Sequence, residues 1–262
     1  MTGVRWLTVF LDFPAGSFGA GVAFWREVTG FRLSPFRGTA AEFATLLPPA
    51  GNAYLRVQRT ADGSSGHHLD LHIDPVAASV EQAAGQVAEL GARVRHRSEG
   101  LVTAVSPGGF TFCLVRWHGE ATVPGPVHLD DGGASRADQL CLDIPAGAFE
   151  RERSFWSALT GWEVQTGVRS ESACLNRPAG IPVRLGFQRA DPGDRVTGHI
   201  DFACADRERL AARHVAAGAR ILAALPRQTT MADPTGRRYG LSIRDPETGK
   251  LPETMSPPLR PR

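Results

Sequence analysis

The sequence has no apolar stretch of membrane-spanning length and no run of basic residues. Its 29 lysines and arginines nearly balance 27 aspartates and glutamates, which gives a formal net charge of +2. Nucleic acid binding normally needs a concentrated basic surface, so neither nucleic acid nor a membrane is an expected partner. The N-terminal residues also lack the anatomy of a secretory signal peptide, and we therefore expect a cytoplasmic protein.

Cysteine is scarce, and the four cysteines lie far apart with no C-x-x-C pair. This spacing excludes a disulfide framework or a zinc framework and favours reduced cysteines buried in a core. The signatures of a phosphate-binding loop and of a Ser-His-Asp nucleophile elbow are absent too. The sequence therefore gives no support to either kind of chemistry.

An internal repeat is the strongest feature that is present. Residues 11–18 (LDFPAGSF) match residues 142–149 (LDIPAGAF), which lie 131 positions later. Three further pairs of segments keep this spacing: 24–25 with 155–156, 29–31 with 160–162, and 68–71 with 199–202. Matches near the end of each half are 127 positions apart, which one shorter helix or loop in the second half explains. The chain is therefore an internal duplication.

The repeat predicts two domains of similar build, at residues 1–118 and 137–250. Between them, residues 119–136 are rich in proline, glycine and polar residues and show no periodicity, as in a linker. Residues 251–262 carry several prolines among polar side chains and are expected to form a flexible tail.

Each half shows the same order of predicted elements twice: one strand, one helix and three short strands. In the first half, the opening strand covers about residues 5–12, and Ser17 is expected to cap a helix that Gly30 ends. The order starts again with a strand at about 68–73 and a helix at about 76–90. We therefore predict an α+β fold of four βαβββ modules that form two domains.

A βαβββ sheet carries its helix on one face, so the other face is expected to line a cavity or to pair with another unit. Successive side chains of a strand point to opposite faces. In residues 68–73 the apolar positions can face the helix, and His68, Asp70 and His72 then share the opposite face. His199 and Asp201 repeat this arrangement in the second half. The remaining histidines are expected in loops or at the surface: His67, His96, His118, His128 and His214.

These features resemble the vicinal oxygen chelate superfamily, which includes glyoxalase I, bleomycin-resistance proteins and extradiol dioxygenases. The resemblance rests on the aromatic pair and helix-ending glycine of each first helix, on the strands that begin near His68 and His199, and on the turn at 233–236 (DPTG). It covers residues 5–117 and 137–245, and it implies paired βαβββ modules around a small-molecule cavity. The tandem form resembles two-domain glyoxalase-like proteins.

Enzymes of this superfamily bind one divalent metal per cavity, usually through His or Gln, Glu, His and Glu. Carried over position by position, the resemblance places one histidine ligand at His68 and at His199, while the final-strand glutamate falls on Cys113 and on Gly240. The other ligand positions fall on neutral side chains: Trp6 or Thr8, Ala137 or Gln139, Gln58, and Gln188. Such metals need several hard or borderline ligands, so the set is incomplete. No cofactor is predicted, and a divalent metal stays open, with His68 and His199 as the weak candidate ligands.

Two functions stay open on this sequence. The first is binding or sequestration of a small organic ligand in a cavity without a complete metal site, as in the bleomycin-resistance branch. The second is a lyase, isomerase or dioxygenase-type enzyme in which His68 or His199 acts as base or metal ligand. The residues predicted to line the cavities are Gln58, His68, Asp70, His72, Cys113, Gln139, Gln188, His199 and Asp201. Either a monomer or a homodimer fits this interpretation.

Overall fold

The structure is a computed structural model that describes residues 2–128, 133–166, 172–190 and 193–252. Within these residues the chain forms two sheets and four α-helices, which confirms the predicted α+β class. The first half contains β1 (Val4–Pro14), α1 (Ala15–Thr29), β2 (Arg32–Leu33), β3 (Phe43–Leu47), β4 (Leu55–Thr60), β5 (Gly66–Ile73), α2 (Val80–Glu89), β6 (Arg93–Ser98), β7 (Leu101–Val105) and β8 (Thr111–Arg116). The second half contains β9 (Val127–His128), β10 (Ala134–Pro145), α3 (Phe149–Thr160), β11 (Val164–Thr166), β12 (Ser172–Leu175), β13 (Arg184–Ala190), β14 (Thr197–Cys204), α4 (Arg207–Ala216), β15 (Arg220–Ala224), β16 (Gln228–Ala232) and β17 (Arg238–Ser242).

The strand order repeats between the two sheets. The first sheet follows the order β2-β3-β4-β1-β5-β8-β7-β6, and its two modules meet where β1 and β5 run antiparallel. The second sheet follows the order β11-β12-β13-β10-β14-β17-β16-β15, with β10 and β14 antiparallel at its centre. The four βαβββ modules predicted from the repeat are therefore confirmed.

The segment between the sheets is partly built into the fold. β9 pairs with residues 134–135 at the start of β10. The side chain of Asn52 accepts hydrogen bonds from the backbone at residues 121–122, which holds this segment against the first domain. Residues 129–132 of the predicted linker and 253–262 of the predicted tail lie outside the described residues.

The boundaries of the first two helices differ from the prediction. α1 starts directly after Pro14, so Ser17 lies inside the helix and does not cap it. Its C-terminal boundary is as predicted, because Gly30 adopts a left-handed φ of 65° and stops the helix. α2 starts later than expected, since Ser79 forms a capping box with Gln82.

The helix of each first module packs against the other domain. Trp25 on α1 is fully buried, and its ring stacks on Phe202 of β14 with 6.1 Å between the ring centroids. The Nε1 atom of Trp25 donates a hydrogen bond to Asp233 Oδ2 at 2.9 Å. In the reciprocal contact, Trp156 on α3 lies against Phe112 of β8, with 5.3 Å between the ring centroids. The two domains therefore share one apolar core.

This interface also explains two histidines that the sequence analysis placed wrongly. His67 and His214 are buried and do not lie at the surface. His214 Nδ1 is 2.9 Å from the hydroxyl oxygen of Tyr239, and His67 Nε2 is 3.4 Å from Arg237 Nη1 of the second domain. The burial of His67 comes from contacts between the halves, which sequence patterns do not show. His214 shares the buried face of α4 with Leu210 and Ala211 and also lies against Phe24 of the first domain.

The cysteines lie mostly in the core. All four cysteines are free, and three of them are buried. No helix within the described ranges is long and apolar enough to cross a membrane.

Candidate functional site

The helix-free face of the first sheet lines a cavity of about 890 Å³. Side chains from both modules reach it, because the antiparallel pairing of β1 and β5 sets Phe10 beside His68. Its apolar wall includes Phe10, Phe43, Leu101, Phe110, Val115 and Val196. Its charged wall includes Asp12, Arg37, Arg56, His68, Asp70 and Arg195. This combination and volume are typical of small-molecule sites.

His68 lies between two aspartates on this wall, and we call Asp12, His68 and Asp70 the first-domain cluster. His68 Nδ1 lies 2.7 Å from Asp12 Oδ2, and the imidazole ring stacks on Phe10 with 4.2 Å between the ring centroids. His68 Nε2 is 4.0 Å from Asp70 Oδ1, which is close enough for attraction but too long for a hydrogen bond. Asp12 therefore fixes the ring and leaves Nε2 available to a ligand.

Burial and neighbouring charges shift the pKa values in this cluster. Burial alone would lower the pKa of His68, but the hydrogen bond and charge of Asp12, followed by the charge of Asp70, raise it above its usual value. Burial raises the pKa of Asp70. Burial and then the charge of Asp70 raise the pKa of Cys113 to about 12. Cys113 is therefore a thiol at neutral pH and a poor nucleophile.

Two arginines bring positive charge to the same cavity. The Nη1 atom of Arg56 lies 3.8 Å from Asp70 Oδ2, and its guanidinium carbon is 5.6 Å from the centroid of the Phe10 ring. Hydrogen bonds to two hydroxyl groups hold the guanidinium of Arg37. Because its contact with Asp70 is too long for a hydrogen bond, Arg56 keeps donors for a ligand.

The other side chains predicted for the first cavity do not all reach it. Gln58 and Cys113 line it, on the same wall as the first-domain cluster. His72 lies further along β5, where its Nε2 is 3.0 Å from Thr8 Oγ1 and its Nδ1 is 3.4 Å from Glu120 Oε1. The segment after β8 thus covers His72 and separates it from the cavity.

The second sheet carries an equivalent set, Asp143, His199 and Asp201, which we call the second-domain cluster. His199 Nδ1 lies 3.0 Å from Asp143 Oδ2, and its Nε2 lies 3.4 Å from Asp201 Oδ1. Burial alone would lower the pKa of His199, but the charge of Asp201 and the hydrogen bonds to both aspartates raise it to about 10. His199 is therefore an imidazolium at neutral pH.

Polar side chains fill the space beside the second-domain cluster. Gln139 Nε2 donates a hydrogen bond to Asp201 Oδ2 at 2.8 Å, and Arg244 Nη1 donates one to Gln139 Oε1 at 2.6 Å. Arg244 also forms a buried ion pair with Asp138 at 2.6 Å. Gln188 donates a hydrogen bond to the other aspartate of the cluster. Gln139 and Gln188 are thus engaged within the protein.

Gly240 stands where the resemblance implies a metal-binding glutamate. A Cβ atom there would lie 1.9 Å from Asp201 Oδ1 and 2.5 Å from Gln228 Nε2. Gln228 Nε2 donates a hydrogen bond to that same carboxylate oxygen at 3.1 Å, so neither atom is free to move away. The second domain therefore has no room for the glutamate.

We expect Gly240→Ala to lower the free energy of unfolding by about 1–3 kcal/mol, because the added methyl group must displace Asp201. Gly85→Ala is the control, since Gly85 lies in α2 and a Cβ there would meet nothing within 4 Å. This control is expected to raise the free energy of unfolding by about 0.5–1 kcal/mol. Urea denaturation measures both changes. Equal stability of Gly240→Ala and the wild type would show that the space is not crowded.

The first domain has donor atoms that fit a divalent metal. His68, Asp70 and Cys113 offer a nitrogen, a carboxylate oxygen and a sulfur within 4.8 Å of one another. Asp12 holds Nδ1 of His68, as carboxylates commonly do for metal-binding histidines, and Nε2 makes no hydrogen bond to any described residue. Three such donors are the number found in catalytic zinc sites. The superfamily pattern assigns no ligand to Asp70, so the sequence analysis did not include this donor.

The second domain does not fit a metal, although Cys141, His199 and Asp201 are equally close to one another. Both ring nitrogens of His199 already contact carboxylates. Asp201 also accepts hydrogen bonds from Gln139 and Gln228. A metal would have to break these contacts and displace the imidazolium proton.

Sequence reasoning missed four residues that determine the two clusters and their surroundings: Asp12, Arg56, Asp143 and Arg244. Asp12 and Asp143 had a detectable signal, because they occupy the same place in the repeated segments 11–18 and 142–149. Arg56 had a signal as well, because it alternates with Leu55 and Val57 and shares its strand face with Gln58. Arg244 had none, since its position depends on the chain beyond β17.

Solved structures with the same architecture come from enzymes of several kinds. The chain is similar to 2,2',3-trihydroxybiphenyl 1,2-dioxygenase from the dibenzofuran-degrading Sphingomonas wittichii strain RW1, with a TM-score of 0.62, 16% identity, and coverage of 95% of this chain and 93% of that chain. It is similar to the Mn(II)-bound glyoxalase from Novosphingobium aromaticivorans, with a TM-score of 0.64, 17% identity, and coverage of 96% and 86%. It is also similar to the 2,3-dioxygenase LapB from Pseudomonas sp. KL28, with a TM-score of 0.62, 13% identity, and coverage of 92% and 93%. At these identities the likeness shows the fold alone.

Comparison at the level of sequence identifies the family. No curated protein matches the chain. The family model described as "Glyoxalase-like domain" matches residues 8–115 and 139–242, one segment for each sheet. The chain therefore belongs to the glyoxalase-like domain family, in a tandem two-domain form of the vicinal oxygen chelate fold.

Proposed function

We propose that the first domain binds a small organic anion with a flat apolar body. The observation that carries this proposal is the presence of aromatic and cationic side chains in one cavity of about 890 Å³. Pockets of roughly 300–1,000 Å³ with an apolar lining and a few polar groups are typical of small-molecule sites.

The apolar part of the ligand would pack against the aromatic wall. Phe10 and Phe43 stand edge to face, with 6.3 Å between the ring centroids. Phe110 and Val196 extend this surface from the turn before β8 and from the second domain. Flat rings gain most from such walls, because offset-stacked and edge-to-face contacts each contribute about 0.5–1.5 kcal/mol beyond burial.

The negative group of the ligand would be held by Arg56 and His68. The planar guanidinium of Arg56 matches the two oxygens of a carboxylate. Protonated His68 would donate a further hydrogen bond through Nε2, while Asp12 keeps the ring in place. Asp70 neutralises part of the positive charge, so the cavity favours a single negative charge on the ligand.

A second candidate is an enzyme of the lyase, isomerase or dioxygenase type. The pair of Asp12 and His68 favours it, because a carboxylate that orients an imidazole is the usual support of a histidine acid or base. A divalent metal held by His68, Asp70 and Cys113 would supply a Lewis acid for a substrate oxygen. Asp12 would then fix the ring of His68, and Arg56 would hold the negative group of the substrate.

The binding proposal is tested with a panel of aromatic carboxylates, each paired with its neutral amide. We expect the carboxylates to raise the melting temperature more than their amides, because a ligand that binds the folded state stabilises it. In calorimetric titration, Arg56→Gln is expected to weaken binding of the carboxylates by about tenfold or more, as the loss of a charged hydrogen bond implies. Arg95→Gln, at an exposed position on the edge strand β6, is the matched control and should leave affinity unchanged. Failure of every carboxylate to bind, or equal binding of acids and amides, would overturn the proposal.

The two candidates differ in their dependence on metal. Carboxylate binding that persists in EDTA and survives Cys113→Ala supports binding without a metal. A requirement for added Zn²⁺ or Mn²⁺, together with weaker metal affinity in Cys113→Ala, supports the enzyme instead.

A further inference from the structure

The cavity of the first domain is completed by a segment of the second domain. Residues 195–198, which include the first two residues of β14, line it together with the first-domain cluster. The backbone N–H of Val196 donates a hydrogen bond to the carbonyl oxygen of Gly108 at 2.8 Å, directly across the interface. A ligand in this cavity would therefore touch both halves of the chain.

The turn before β8 fixes this segment in place. Gly109 has a φ of 99°, and a Cβ atom there would lie 3.3 Å from the Cβ of Arg195, so glycine permits the close approach. Glu152 of α3 is fully buried and accepts a hydrogen bond from the backbone N–H of Gly108 at 2.7 Å. The hydrogen bond of Val196 to this turn thus holds the neighbouring Arg195 at the cavity, and the side chain of Arg195 is exposed.

The positive charge of Arg195 has no counterpart in the first half of the repeat, and no contact within the described residues gives it a structural role. The residue 131 positions earlier is Ser64, which lines the same cavity without a charge. Within the described part of the chain, the guanidinium of Arg195 forms no ion pair. By contrast, Arg244 pairs with Asp138, and Arg237 donates a hydrogen bond to the backbone of Asp12.

We propose that Arg195 is a specificity-determining residue that attracts the negative group of the ligand into the first-domain cavity from the opposite domain. This inference rests on the proposed function, because it presupposes an anionic ligand. An exposed cation at the rim acts mainly on the association rate and on its dependence on salt, while Arg56 acts deeper in the cavity.

The test compares 2-naphthoate with neutral 2-naphthamide, at ionic strengths of about 0.02 M and about 0.5 M. Arg195→Gln is expected to weaken binding of 2-naphthoate by about threefold to tenfold at low salt, and by less at high salt. Binding of 2-naphthamide should not change. Arg195→Lys, which keeps the charge, should restore most of the affinity. Arg220→Gln, on the exposed edge strand β15, is the matched control for the loss of one surface charge.

Two failures can be told apart. If the wild type does not prefer 2-naphthoate to 2-naphthamide, the proposed function fails. If the wild type has this preference and Arg195→Gln keeps it with the same salt dependence, only the inference about Arg195 fails. An equal loss in Arg220→Gln would also overturn it, because the effect would then belong to the net charge of the protein.

Discussion

Replacing Trp25 with alanine is expected to lower the free energy of unfolding by about 3–5 kcal/mol. The indole ring is fully buried and lies between the domains, where it stacks on Phe202 and donates a hydrogen bond to Asp233. Its removal leaves a large cavity and takes away a donor from a buried carboxylate. Trp25→Phe keeps most of the apolar volume, so we expect a smaller loss.

Chemical denaturation followed by far-ultraviolet circular dichroism measures this effect. We expect a single transition in the wild type, because the helices of both first modules pack on the partner domain. Val76→Ala is the control, since its side chain is 93% exposed and a surface change should stay within about 0.5 kcal/mol. Two separate transitions in the wild type, or an unchanged midpoint in Trp25→Ala, would mean that the domains do not share a core.

The second large effect is a loss of stability as the pH rises from about 6.5 to 8.5. The pKa of His199 is raised to about 10 in the fold, while an unfolded histidine titrates near 6.5. This stabilisation is fully present below the unfolded value and is lost as the pH rises through the folded value. The raised pKa of His68 acts in the same direction. Each such histidine changes the free energy of unfolding by up to about 1.4 kcal/mol per pH unit.

Other titrating groups act outside this window. The pKa values of buried His67 and His214 are lowered, so they make the fold more stable with rising pH, but only below about pH 6.5. Burial raises the pKa of cysteines such as Cys141, so they lower the free energy of unfolding only above about pH 8.5, where thiols of the unfolded chain ionise. Urea denaturation at several pH values should therefore show a flatter slope for His199→Gln than for the wild type. An identical slope in both proteins would mean that His199 does not keep its proton in the fold.

Much of the fold follows from simple periodicities in the sequence. The repeat predicts four modules, and the alternation in residues 68–73 correctly places His68 and Asp70 on the face away from the helix. The same alternation cannot show that His72 is covered, because the covering side chain, Glu120, comes from a distant segment. Contacts between segments also bury His67, which pattern analysis assigns to the surface.

The difference between the two halves is harder to predict than their likeness. Thr8 in the first opening strand corresponds to Gln139 in the second, and this longer side chain reaches Asp201. Arg244, which follows the last strand, donates a hydrogen bond to Gln139 and so fixes its side chain. These substitutions are visible in the sequence, but their effect depends on the register between β10 and β14. Two similar domains thus enclose one open cavity and one internal ionic network.

A crystal structure of the protein soaked with 2-naphthoate tests this account most directly. We predict density for the ring system beside Phe10, with the carboxylate within hydrogen-bonding distance of Arg56, and none beside Arg244. Density at the second-domain cluster alone, or a carboxylate that avoids Arg56, would contradict the assignment of the site to the first domain.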